Sequence, residues 1–206
     1  MLSNVVSACA RIALLTAAMA ACIACAKKSY IDVDYRLPPA EASLAGRTVF
    51  MEIQDDRSET EIFDRRAKEQ FQHFTGLFAL ILQLSDDDQK VLGAYELPQL
   101  FETALVQRLK TMGAGVAAER SAHIPVFLVK LSQFQIKLVG QKWMADIRYE
   151  ASLTRDGQLI AREVVSGSAE RLKVMGSGGA EKVIGEIFTE MINRLDIERL
   201  FQQAKL

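Results

Sequence analysis

Beyond residue 25 the chain has no cysteine: Cys9, Cys22 and Cys25 are the only three in 206 residues. The remainder therefore carries no disulfide, no thiol nucleophile and no thiolate metal site. Histidine is nearly as scarce. His73 and His123 are the only imidazoles, and a metal centre would need them to converge with carboxylates from separate elements. Their spacing does not support that, so both read as ordinary side chains and no metal or cofactor is expected. Positive charge is not in excess either. With 25 basic and 26 acidic side chains the net charge is −1, which forgoes the counterion release that drives binding to nucleic acid. Hydrophobic residues make up 50% of the chain, which excludes a disordered polymer.

Catalytic signatures are also missing. No Gly-x-Ser-x-Gly elbow is present. Gly176-Ser177-Gly178-Gly179 precedes a helical pattern, yet Glu181-Lys182 replaces the Gly-Lys-Ser/Thr ending of a phosphate-binding loop; it reads as a turn in which Ser177 caps the helix. Asp86-Asp87-Asp88 is followed by Lys90 and Val91 where a calcium loop needs a ligand and a glycine, so it reads as a solvated helix end. Asp55-Asp56-Arg57 at a strand end reads as a structural ion pair between Asp55 and Arg57 rather than a paired-carboxylate site. The chain is expected not to be an enzyme.

What is present begins with an address. Residues 12–21 carry no charge and follow Arg11. A mostly apolar run of this length behind a cation forms a secretory signal too short for a comfortable membrane span. Ala20-Ala21-Cys22 and, three residues on, Cys25 each resemble the lipobox of bacterial lipoproteins, whose cysteine thiol takes the lipid. Cys22 fits better, with Cys25 as the fallback. Neither is followed by Asp, so the expected destination is the periplasmic face of the outer membrane. The expected organisation is a signal peptide over 1–21, a lipidated N-terminus and tether over 22–45, and one periplasmic domain over 46–206.

Periodicity organises the rest. Residues 48–54 alternate as a strand stopped by Asp55-Asp56. Residues 97–112 form an amphipathic helix, with Pro98 in its first turn and Gly113 as its stop. Residues 125–138 alternate with a slip: Phe127, Val129 and Leu131 are odd, Phe134, Ile136 and Leu138 even. That predicts a bulge or two strands. Residues 143–153 alternate strictly, with Trp143, Ala145, Ile147, Tyr149, Ala151 and Leu153 on one side. Asp156-Gly157 predicts a two-residue hairpin turn into a strand over 159–169. A helix over 180–195 and a shorter one through Ala204 close the chain. The expected fold class is α+β: an antiparallel-rich sheet of about four strands in the order β-α-β-β-β-α. Two main amphipathic helices would lie on one face, with Trp143, Ile147 and Tyr149 meeting Leu105, Ile184 and Phe188.

One stretch stands apart. Phe71, Phe74, Leu77, Phe78, Ile81 and Leu82 recur at three- and four-residue spacing, which predicts an extra apolar helix over 71–84. Leaving all six exposed would cost on the order of 10 kcal/mol, comparable to the stability of a domain. Burial or a standing partner must therefore account for them. Phe74, Phe78 and Ile81 are the candidate contact with a protein partner or the membrane.

Gly46-Arg47-Thr48-Val49 with Asp55 and Arg57, Ser166-Gly167-Ser168-Ala169-Glu170-Arg171, and the helices over 97–112 and 180–195 together resemble the YajG family of bacterial lipoproteins. The resemblance spans roughly residues 44–201 and is interrupted over 58–94. It implies an envelope lipoprotein with no enzyme activity, similar in kind to the auxiliary lipoproteins of envelope transporters. The expected function is a lipid-anchored periplasmic accessory domain that contacts another envelope component, protein or lipid. The alternative is a lipid-handling module enclosing an acyl chain, for which a cavity lined by Phe71, Phe78 and Trp143 would speak.

Overall fold

Ile31, Val33 and Tyr35 are buried, while Tyr30, Asp34 and Arg36 are exposed. That alternation makes strand β1 (Tyr30–Arg36). The computed structural model describes residues 29–85, 88–173 and 179–206. β1 lies inside the stretch expected to be a tether. It pairs in parallel with β3 (Leu77–Gln83), and β3 pairs antiparallel with β4 (Gln89–Tyr95), giving a three-stranded sheet in the order β1-β3-β4. A second sheet of five strands has the order β5-β2-β6-β7-β8, with β2 (Thr48–Asp55), β5 (Gly115–Ala117), β6 (Val126–Val139), β7 (Lys142–Arg155) and β8 (Gln158–Leu172). The fold is α+β, but the expected single sheet of about four strands is two sheets of three and five.

The helix expected over 71–84 is a turn followed by β3. Gly76, at φ 91°, ends the turn. β3 is the central strand of its sheet and buries Phe78, Ala79, Leu80 and Leu82. A strand covered on both faces is a continuous apolar run, and such a run cannot be told from a buried helix by periodicity alone. Of the acidic triplet, Asp88 stands between β3 and β4 and not at a helix end. It closes that connection through Leu84 N–H donating to its carbonyl at 2.9 Å, while Asp86 and Asp87 lie outside the described residues.

The five-stranded sheet follows the sequence pattern closely. Pairing of β6 with β7 shifts register between Leu131 and Gln133. The extra residue, Ser132, is exposed, and Phe127, Val129, Leu131, Phe134, Ile136 and Leu138 are all buried. One bulge thus keeps both phases of β6 facing the core. β7 buries its odd residues from Trp143 to Leu153. Asp156 and Gly157, at φ 53° and 76°, make the tight turn into β8.

Four helices stand among the described residues: α1 (Arg65–Gln70), α2 (Leu97–Thr111), α3 (Ala180–Arg194) and α4 (Ile197–Gln203). Helix α2 ends as expected at Gly113, φ 84°, where Ala114 N–H donates to Leu109 O at 3.0 Å and Gly113 N–H to Lys110 O at 3.0 Å. Gly179, at φ 90°, occupies the N-cap of α3; Ser177, expected as the cap, lies outside the described residues. The long helices touch both sheets, α2 against β2 and β3, α3 against β1, β7 and β8. Leu105, Ile184 and Phe188 are buried with Trp143, Ile147 and Tyr149. The Phe101 ring meets Tyr149 at 5.8 Å and Phe188 at 5.1 Å.

The outer edge of β1 is closed by α3. The Thr189 hydroxyl donates to Asp34 O and accepts from Arg36 N–H, both at 3.1 Å, and Asn193 Nδ2 donates to Arg36 O at 2.9 Å. A Cβ on Gly185 would sit 3.1 Å from Asp34 O, so the helix approaches this closely only because that position has no side chain. No helix among the described residues is long and apolar enough to cross a membrane.

The facing of β7 sets a sharp contrast between neighbours. Ile147→Asp should place an unpaired charge in the core and destabilise the domain by at least about 3–5 kcal/mol. Arg148→Asp, on the exposed side, should change stability by no more than about 0.5 kcal/mol. Urea unfolding of the two variants measures both, and similar losses would show that the strand is not sided.

Candidate functional site

The segment between β2 and α1 runs beside β6 instead of out into solvent. Past the Ser132 bulge, β6 has left β2, and residues 62–64 take the vacated edge. Ile136 N–H donates to Ile62 O at 2.6 Å, and Asp64 N–H donates to Ile136 O at 3.0 Å. The Asp64 carboxylate then caps α1, accepting from Ala67 N–H at 2.8 Å, and also accepts from Leu138 N–H at 3.3 Å. This pins a six-residue helix that would not persist alone in water. Ala67 on its inner side is fully buried. Phe63 is buried close by in the sequence.

A groove of about 920 Å³ opens between this segment, α1, the turn before β3 and the start of α2. Its floor is aromatic: Phe63, Phe71, Phe74 and Phe78 all line it. The rings form a chain, with Phe71 stacked on Phe63 at 4.7 Å, Phe63 edge-on to Phe74 at 5.4 Å, and Phe74 edge-on to Phe78 at 5.3 Å. Phe78 carries the chain on to Phe134 at 5.7 Å, inside the core. Trp143 supports the groove from beneath through the Phe71 ring at 5.7 Å, without itself lining it. The far wall is Glu96, Leu97 and Pro98 at the head of α2.

The rim is charged and largely neutralised. Arg57 grips Asp55 with two hydrogen bonds of 2.8 Å and donates to Thr60 O at 3.2 Å. Its side chain is only 7% exposed. The Arg57 hydrogen bonds hold the Asp55 carboxyl below its ordinary range, against the opposing effect of burial. Lys68 pairs with Glu61 at 2.8 Å, and Arg65 lies 3.9 Å from Glu69. Among the described residues, no histidine, cysteine or serine lines the groove. The described residues also contain no cluster of His, Asp or Glu able to hold a metal. An apolar floor under a polar rim has the make-up of a site for an amphipathic ligand.

Phe74 and Phe78 thus meet at one site, but not as side chains of a single exposed helical face. Phe78 is 1% exposed and belongs to the core, whereas Phe74 is half-buried at the groove. Ile81 lies on β3 opposite Val91, away from the groove. His73 and His123 are exposed. Cys22 and Cys25 lie outside the described residues. Phe63 and Arg57 are not legible as site residues from the sequence. The pair Ile62-Phe63 inside a charged stretch is the available signal, since two apolar residues there need a surface to cover.

No family model and no curated protein matches the chain, so the likeness to YajG rests on the short motifs quoted above. Several solved structures are similar in part, three of them as follows. A protein from Xanthomonas campestris is 15% identical over 87% of this chain and 100% of its own, with a TM-score of 0.49. Rare lipoprotein B from Shewanella oneidensis is 11% identical over 51% of this chain and 88% of its own, with a TM-score of 0.39. A minor lipoprotein from Acinetobacter baumannii is 13% identical over 48% of this chain and 85% of its own, with a TM-score of 0.35. Likenesses this distant carry no argument about what the present chain does.

The two aromatic residues differ in a way that stability measurements resolve. Phe78→Ser should cost about 3–5 kcal/mol, as expected for a large core truncation. Phe74→Ser should cost no more than about 1–2 kcal/mol, because part of that ring already meets water. Equal shifts in the denaturation midpoint would make Phe74 part of the core and remove it from the groove.

Proposed function

We propose that this chain is a lipid-anchored accessory domain of the bacterial envelope that binds an apolar ligand in the aromatic groove and performs no catalysis. The groove carries this reading. A half-open cleft of about 920 Å³ floored by four phenylalanines is within the size range of small-ligand sites. Its ion-paired rim gives a ligand little reason to enter by charge alone. The site therefore selects for apolar surface, which an acyl chain supplies along its whole length. A protein partner presenting one apolar side chain is the second reading, favoured by the half-buried Phe74 at the opening.

The envelope location rests on the uncharged run before Cys22 and the small residues Ala20 and Ala21. Outer-membrane attachment is the reading best supported by the absence of Asp after either cysteine. Intact-mass analysis of the mature chain should show an acylated Cys at its N-terminus, Cys22 first and Cys25 otherwise. A water-soluble product starting at any other residue would defeat the anchor.

Ligand binding has its own test. A fluorescent fatty-acid analogue should bind the purified mature chain saturably. Phe74→Asp should weaken it by about tenfold or more, since a carboxylate in the apolar floor must be desolvated on occupancy. Unsaturable binding, or equal binding to the variant with an unchanged melting temperature, would count against the groove.

A further inference from the structure

Ser29 sits beside the groove. Thr75 N–H and the Thr75 hydroxyl both donate to Ser29 O at 2.9 Å. Thr75 lies between Phe74 and Gly76, which both line the groove. The root of the N-terminal segment is thus fixed at the groove's edge by two hydrogen bonds. Parallel pairing from Tyr30 opposite Leu77 onward holds it there. The stretch of chain from Cys22 to Ser29 reaches at most about 25 Å when fully extended. A lipid on Cys22 therefore keeps this edge of the domain within that distance of a bilayer surface. The opposite end of the molecule has no such constraint.

Part of the charge on this side is basic. Helix α1 carries Arg65, Arg66 and Lys68, all exposed; Lys68 is paired with Glu61 and Arg65 lies against Glu69, and Arg66 adds a cation beyond those pairs. Lys27 and Lys28 precede Ser29 directly in the sequence. Basic residues next to a lipid anchor are attracted to anionic headgroups within a Debye length.

Building on the reading of the groove given above, we propose that it opens toward the bilayer holding the anchor and takes one acyl chain of an anionic membrane phospholipid. Arg66 of α1, outside the ion pairs of the rim, holds the headgroup side. The phenylalanine floor replaces the hydrocarbon that the chain leaves. The tether keeps the opening of the groove within about 25 Å of the bilayer that would supply the lipid.

The test uses the full mature lipoprotein reconstituted in vesicles that contain phosphatidylglycerol with a photoactivatable diazirine near one acyl end. Irradiation should place cross-links on Phe71, Phe74 or their neighbours, mapped by peptide mass spectrometry. Arg65→Glu combined with Arg66→Glu should lower that yield about tenfold in mixed phosphatidylcholine–phosphatidylglycerol vesicles. Binding of the fatty-acid analogue in solution is measured in parallel on the unaltered chain. Phe74→Asp should lower both signals by about tenfold or more, with its melting temperature confirming that it folds. If the analogue binds but phosphatidylglycerol cross-links elsewhere, or with a yield indifferent to the charge reversal, the bilayer source is wrong and the groove reading survives. If neither binds, both fall. If instead a diazirine fatty acid incorporated into the chain's own anchor labels Phe71 or Phe74, the occupant is the anchor, and the proposal is overturned.

Discussion

The last turn of α3 ends in carbonyl groups that no later turn of the helix can satisfy. Side chains from two other elements supply the donors. Tyr149 on β7 donates its hydroxyl to Met191 O at 2.8 Å, and Arg108 on α2 donates to Ile192 O. Tyr35 on β1 donates to Asn193 Oδ1 at 3.0 Å. Four elements therefore meet at one helix end. A guanidinium here is almost fully buried, which would ordinarily be expensive. The negative end of the α3 dipole offsets part of that, as do Glu163 and Asp196 nearby. Burial still pulls the Arg108 guanidinium down and pushes the Tyr35 and Tyr149 hydroxyls up. The tyrosines therefore stay neutral donors throughout the ordinary pH range. Removing Arg108 would leave Ile192 O buried without that donor. Removing Tyr149 would do the same to Met191 O.

This junction also decides where the small sheet sits. β1 is held to α3 at Gly185, Thr189 and Asn193. That contact covers a backbone edge that would otherwise be free to pair with another chain. β1 carries β3 beside it, and β3 carries Phe78 into contact with Phe134. The position of the groove thus follows from a chain of contacts that starts at the helix end.

Much of the large sheet is legible in the sequence because its long strands sort their side chains between a covered face and a wetter one. Residues 143–153 alternate without a break, and the slip in phase over 125–138 corresponds to the bulge at Ser132. Helices 97–112 and 180–195 carry their own apolar faces, and the first also its glycine stop. The small sheet is hidden, for two different reasons. β3 is covered on both faces, so its residues do not alternate, and the turn at 71–76 happens to extend the run at helical spacing. β1 does alternate, as Ile31, Val33 and Tyr35 show, but it lies between an apparent tether and a Pro38-Pro39 pair and blends into them. The groove depends on this hidden half. Phe74 and Phe78 stand out in the sequence as apolar residues in need of cover, though the helical spacing that singles them out belongs to a turn and a strand. Their neighbours Phe63 and Arg57 come into reach only through the edge pairing of residues 62–64 with β6, a long-range contact with no local signature.

The same edge pairing explains why the groove stays open. Residues 57–64 are held by Arg57 to Asp55 at one end and by Asp64 to Leu138 at the other, so they touch Phe71 and Phe74 through Phe63 alone among the ring contacts and stay fixed at that distance. Below, Phe63 and Phe78 are locked by ring contacts that continue to Phe134 and Phe101. The upper rings therefore remain half-covered. Phe71 and Phe74 are partly buried and packed against the core, and the remainder left in water forgoes on the order of 1 kcal/mol of burial. An occupant that covers both recovers this without rearranging the core, which corresponds to roughly a fivefold gain in affinity from these two rings alone. A groove held open from both sides gains that free energy with little ordering cost of its own, and rigidity of this kind is what separates a binding site from an unfilled gap.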